Sequence, residues 1–232
     1  MATSYHVGLI LQALTVTLDQ MDPLHIGLIV ALIISVIMHE MAHGYAANWL
    51  GDPTARLAGR LSMNPLVHID PLMSVILPGL LIATGSPIVF GAAKPVPYNP
   101  YNFVRHRRWG EAIVAAAGPA TNIAIATVFA ILIRFGDVFA LSDDFLKLSF
   151  QIILLNIFLA FFNLVPIPPL DGSKILPRLL PRGLSLGYER FRSNLERNPG
   201  LGFLIVIVLF VWVLSDPIYQ ATLYLARLLI GI

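Results

Sequence analysis

Residues 24–50 read LHIGLIVALIISVIMHEMAHGYAANWL, an apolar run closed by Gly51-Asp52-Pro53. The run exceeds the ~20 residues that a helix needs to cross a bilayer, and a Gly-x-Pro stop is how such a helix ends. His39, Glu40 and His43 stand in its second half. Ionisable side chains are costly at that depth, so their presence points to function rather than packing.

The composition outside this stretch agrees. Of 232 residues, 57% are hydrophobic and 12% charged, where soluble domains carry about 25% charged residues. Mean hydropathy is +0.78. Most of the surface must therefore face lipid, which predicts an all-α polytopic membrane protein and excludes a soluble enzyme. The formal net charge is only +2 and the basic residues are scattered through loops, so a nucleic-acid partner is not expected. There is no cysteine, which removes thiolate metal ligands. No Lys or Arg precedes Arg56, so a cleavable signal peptide is not expected either.

Further apolar segments occupy 72–90, 110–135, 147–168, 200–215 and 217–232, and 7–18 is a short one. The sequence thus predicts about five to six transmembrane helices in one membrane-embedded domain, with a core over 24–200 and hydrophobic C-terminal segments over 200–232. Segment 72–90 is broken by Pro78-Gly79, Gly85 and Pro87. Irregular backbone at membrane depth is tolerated where it is buried in protein or lines a cavity, so this segment is read as re-entrant. Segment 217–232 could return through the bilayer or lie on its surface.

Two histidines four apart on a helix project about 40° from each other, one turn apart. His39 and His43 can therefore reach one zinc ion, with Glu40 beside them to act on a metal-bound water. Zinc needs a third protein ligand. The candidates are His68, Asp70, His106, Glu111 and Asp171. His106 lies in a basic run, Glu111 suits a helix N-terminus, and His68 and Asp70 form a turn with Pro71. Asp171 follows a span and the break Pro166, Pro168, Pro169.

A ligand must come from the same depth as the histidines. Asp171 does so only if its span runs parallel to 24–50, which needs an odd number of crossings between them. That holds if 110–135 crosses and 72–90 turns back. The charges select the same topology. Residues 51–109 (Arg56, Arg60, Lys94, Arg105, Arg107, Arg108) and 171–200 (Lys174, Arg178, Arg182, Arg190, Arg192, Arg197) then share one side and hold twelve of the fifteen basic residues. Asp19, Asp22, Asp137, Asp143 and Asp144 fall on the other. By the positive-inside rule the metal lies towards the cytoplasmic side of the cell membrane.

With these pieces in place, the sequence resembles the site-2 protease family of intramembrane zinc metalloproteases in a compact form. The resemblance rests on His39-Glu40-Met41-Ala42-His43 in an apolar span and on Asn163 through Gly172, NLVPIPPLDG. Gly118-Pro119-Ala120-Thr121-Asn122 and Gly91 through Pro97, GAAKPVP, add to it. It implies His39, His43 and Asp171 as ligands of one zinc ion and Glu40 as base. It also implies cleavage of membrane-anchored protein substrates within the bilayer, often as a step in regulated signalling. No PDZ domain separates the motifs, so selection of substrates by such a domain is not expected. Asn163 and Asn122 are candidates for holding the substrate backbone or the oxyanion. Asn156 reads as interhelical packing, and Gly118 as a point of close helix approach. A zinc or proton transporter, or an inactive relative, is the alternative. A transporter would show several ionisable clusters along a path, and an inactive relative would lack Glu40 or a ligand.

Overall fold

The computed structural model describes residues 22–84 and 91–232, so the short segment 7–18, His6 and Gly85-Ser86-Pro87 lie outside the described residues. Helix α1 (Pro23–Leu50) starts where the Asp22 carboxylate accepts the His25 N–H, with Pro23 at the first turn. It stops at Gly51, whose φ of 111° suits glycine alone, and where a Cβ would strike Val104. After a short α2 (Thr54–Leu57) and a 3-10 turn at Pro65–His68, a wide turn at Pro71–Ile76 runs into α3 (Leu77–Ala83). The long α4 (Gly110–Arg134) and α5 (Asp143–Asn163) come next. Then α6 (Gly172–Leu179) and α7 (Arg182–Glu196) precede α8 (Pro199–Leu209), a π turn at Phe210–Leu214, and α9 (Ser215–Ile230).

Four helical stretches among the described residues are long and apolar enough to cross a membrane: α1, α4, α5 and the rod Pro199–Ile230. They expose large apolar side chains such as Val30, Ile33, Val128, Leu204 and Trp212. This is a polytopic, all-α membrane protein. The expectation of five to six spans changes because 200–215 and 217–232 form one continuous rod. Pro217 has no N–H and its ring crowds the carbonyl of Val213. The π turn that contains Val213 absorbs the defect, so the rod continues. The third span starts and ends about four residues before 147–168. Ser142 caps α5 through the Phe145 N–H and Asp143 and Asp144 occupy its first turn, where carboxylates suit the dipole.

Contacts set the directions. α1 and α4 are antiparallel, joined by His43 to Val114 and His39 to Asn122. α4 and α5 are antiparallel, joined by Asn122 to Asn156 and, at the connecting loop, by Gly136 beside Leu146. α1 and α5 therefore run the same way. The segment between α1 and α4 leaves and returns at one end. Ser74 Oγ donates to the Ala92 carbonyl at 2.7 Å, Ala92 N to Met73 O at 3.2 Å, and Lys94 N to His68 O at 2.8 Å. Its base is organised by Asp70, whose carboxylate caps the wide turn through Leu72 N and Met73 N. Buried His68 there bonds the Ser62 carbonyl.

Ala126, Ala130, Ile153, Ile157 and Ala226 form the core of α4, α5 and α9. The alanines allow close helix approach, which is what drives packing where lipid supplies no hydrophobic contrast. Ala47, Leu50, Phe103 and Val114 form a second cluster over the end that carries the site.

Candidate metal centre

His39 and His43 project from successive turns of α1, with ring centroids 4.6 Å apart. Each Nε2 lies 3.2 Å from Asp171 Oδ2, and one donor atom from each of the three residues falls within 4.8 Å of the others. All three are buried. Asp171 reaches this point because the chain doubles back after α5. Gly172 lies so near the Leu164 and Val165 carbonyls that any Cβ would overlap them.

The outer nitrogens are fixed as well. His43 Nδ1–H donates to the Val114 carbonyl at 2.7 Å, and His39 Nδ1–H donates to Asn122 Oδ1 at 2.5 Å. Both acceptors take a proton, so both rings keep their Nε2 lone pairs turned inward. Asn122 is in turn held by donating to Asn156 Oδ1 at 3.0 Å, and Asn156 donates to the Ile152 carbonyl at 2.9 Å. This chain crosses three spans, from α1 through α4 to α5. Gly118 makes the approach possible, since a Cβ there would overlap both imidazoles. Two neutral imidazoles and a carboxylate, converging and oriented from behind, are a donor set that fits one zinc ion.

Glu40, next to His39 on α1, accepts the Val96 N–H of the returning segment at its Oε2, at 2.9 Å. Val96 is buried against Gly44, whose missing side chain leaves room for it. The segment is pinned on either side of Val96. Arg60 donates to the Lys94 carbonyl at 2.5 Å. The fully buried Asp52 accepts from Asn99 N at 2.6 Å and Asn102 Nδ2 at 2.8 Å, and also from Thr54 N and Oγ1. Burial raises the Asp52 carboxyl, but the bonds from Thr54, Asn102 and Asn99 outweigh it and hold it below its ordinary value. Lys174, one turn beyond Asp171, stands 5.1 Å over the Tyr98 ring and ties α6 to the same segment.

The remaining sequence candidates are engaged elsewhere. Glu111 pairs with Arg178 and Arg192, each at 3.4 Å. His106 stacks on Trp49 and His68 bonds Ser62. Asn163 donates its amide to the Leu159 carbonyl of its own helix at 2.9 Å. Asn122, read from sequence as a substrate or oxyanion donor, is fully buried behind His39 with oxygen and amide both engaged. Its geometry makes it a support for the imidazole. Asn156 belongs to the same relay rather than to general packing. Val96 and Arg60 carry no sequence signal, because a backbone N–H and a long-range carbonyl contact leave no residue pattern.

A model of peptidase family M50 matches residues 27–147 and 139–205. The chain is 36% identical over 209 residues to YwhC of Bacillus subtilis (strain 168), a candidate zinc metalloprotease by name, covering 86% of this chain and 87% of that protein. It is 33% identical over 204 residues to Rip2 of Mycolicibacterium smegmatis, also a candidate zinc metalloprotease by name, covering 83% of this chain and 71% of that protein. It is 25% identical over 183 residues to zinc metalloprotease MJ0392 of Methanocaldococcus jannaschii, covering 79% of this chain and 42% of that protein. No solved structure gives a significant match.

Proposed function

The chain belongs to peptidase family M50, the site-2 protease family of zinc metalloproteases, and we propose on that basis that it hydrolyses peptide bonds in or beside transmembrane segments of membrane-anchored proteins, as a step in regulated intramembrane proteolysis. His39, His43 and Asp171 hold the zinc and Glu40 is the general base. The observation that carries this reading is the convergence of the three donor atoms between α1 and the end of α5, two membrane-length helices, with Glu40 on the adjoining position.

A zinc ion held by His39, His43 and Asp171 would supply Lewis acidity to a water and to the substrate carbonyl. Glu40 takes the proton of the attacking water and delivers it to the leaving amine nitrogen. The Val96 N–H holds the Glu40 carboxylate in one orientation. Asn122 and the Val114 carbonyl keep each imidazole in the tautomer that directs Nε2 inward. Asn163, the last residue of α5, spends one amide hydrogen on the Leu159 carbonyl and would offer the second to the substrate backbone or the developing oxyanion. A substrate helix must unwind first, because its carbonyls are otherwise all bonded within the helix.

The site faces the cytoplasmic side of the cell membrane. This rests on the basic loops 51–109 and 171–200 flanking the end that carries the cluster. The whole of 1–232 acts as one domain, with α9 packed on α4 and α5.

The test is a membrane-anchored reporter cleaved by wild type and by Glu40→Gln. Loss of turnover by at least about 10³-fold with zinc retained is expected, and equal cleavage by both would sink the assignment. Asp171→Asn should lower zinc stoichiometry; full zinc in that variant would remove Asp171 from the ligand set.

A further inference from the structure

The face that α7 turns away from the body has no role in the site. Its position along the bundle is set by its neighbours. Tyr188 donates its hydroxyl to the Pro166 carbonyl at 2.8 Å, three residues beyond the end of α5. Leu195 is buried, and the spanning α8 begins at Pro199, directly after α7. Gly202 of α8 lies close to the Pro168 carbonyl. The helix thus lies at the level where α5 and α8 emerge.

Its faces divide by chemistry. The side towards the body carries Glu189, Arg192 and Glu196, which form ion pairs with Arg178, Glu111 and each other. A second edge is apolar and open, with Leu184 64% and Phe191 43% exposed. The third edge, about 120° round from Leu184 and Phe191 on an ideal helix, carries Arg190 and Arg197. These two arginines have no acidic partner among the described residues, whereas Arg178 and Arg192 do. With Leu186, Ser193, Asn194 and the already paired Glu189 they line a depression of ≈ 340 Å³.

We propose that α7 lies in the membrane interface with Leu184 and Phe191 in the acyl region, and that Arg190 and Arg197 dock the headgroup of an anionic phospholipid. An amphipathic helix at a bilayer surface places its apolar edge down and its cations at headgroup level. The two guanidiniums, with Ser193 and Asn194 as neutral donors, suit a phosphodiester oxygen pair. Lipid docking on this face is independent of the catalytic assignment.

The full-length protein in mild detergent is titrated with phosphatidylglycerol or phosphatidylcholine, and retained lipid is read by native mass spectrometry. Wild type should retain phosphatidylglycerol preferentially, by roughly fivefold or more. Arg190→Gln/Arg197→Gln should lose the preference with an unchanged melting temperature, since neither guanidinium is used to hold the fold. Arg190→Lys/Arg197→Lys should keep most of it. Glycerol phosphate at the same concentration should not displace the lipid. Equal retention of both lipids by wild type, a preference that survives in the glutamine pair, or displacement by glycerol phosphate would each overturn the proposal.

Discussion

At the scale of single residues, the site depends on atoms that stand behind the reacting ones. His39 is directed inward only because Asn122 Oδ1 takes its Nδ1 proton, and Asn122 is itself held by Asn156. Asn122→Ala should therefore weaken zinc binding by about 10–100-fold while Glu40 is untouched, measured by competition with a chelating dye. Unchanged affinity would mean that His39 is oriented by other contacts. Val96 supplies a backbone N–H, so its two substitutions separate chemistry from packing. Pro97 biases Val96 towards an extended backbone that proline can also adopt, and Val96→Pro removes the donor to Glu40. Its kcat should fall by about tenfold or more with KM and zinc content unchanged. Val96→Ala keeps the N–H and should retain most of kcat. Equal losses in the two variants would assign the effect to the buried side chain.

At the scale of elements, the returning segment 91–102 is held against α1 from both sides of Val96. Asp52 is one anchor, fully buried with bonds from Thr54, Asn99 and Asn102. Asp52→Asn replaces charge-assisted bonds by neutral ones and should lower the unfolding free energy by about 1.5–3 kcal/mol at pH 7. The sign with pH comes from a carboxyl held below its ordinary value in the folded protein. Its contribution is complete above the unfolded value of about 3.9 and is lost as pH falls through the lower folded value. The gap in melting temperature between wild type and Asp52→Asn should hold from pH 7 to pH 5 and close below about pH 4. A gap independent of pH would show that Asp52 acts by shape alone. The elements that carry ligands are coupled the same way. Lys174 over Tyr98 joins α6 to this segment, and Glu111 joins α4 to α6 and α7.

At the scale of the whole molecule, α1 and α5 run the same way with α4 reversed between them, and Ala92 and Lys94 bond back to His68, Met73 and Ser74. A reporter placed near Arg60 and another near Arg105 should therefore lie on one side of the membrane, and a third in 136–142 on the other. Opposite sides for the first two would mean that 72–90 crosses. The four-span bundle among the described residues also accounts for how far the sequence could be read. Apolar composition and length locate α1, α4 and α5 closely, because a span is a local property of composition. In the sequence, Ser215-Asp216-Pro217 separates the two C-terminal segments 200–215 and 217–232. The rod continues because the π turn at Phe210–Leu214 takes up the proline defect and Ile218, Thr222 and Ala226 are buried in the bundle.

Neighbours along the chain were enough to establish the membrane class and the spacing that sets two imidazoles on one helix face. Through the parity of crossings and the distribution of basic residues, they also explained why Asp171 could stand opposite those imidazoles. Neighbours in space had to be seen in the folded molecule. Asn122 lies behind His39 across 83 residues of chain, and Val96 meets Glu40 across 56. Hydrogen-bond geometry acts over about 3 Å between atoms, and no pattern of residue types along the sequence records which amide or backbone N–H will arrive there.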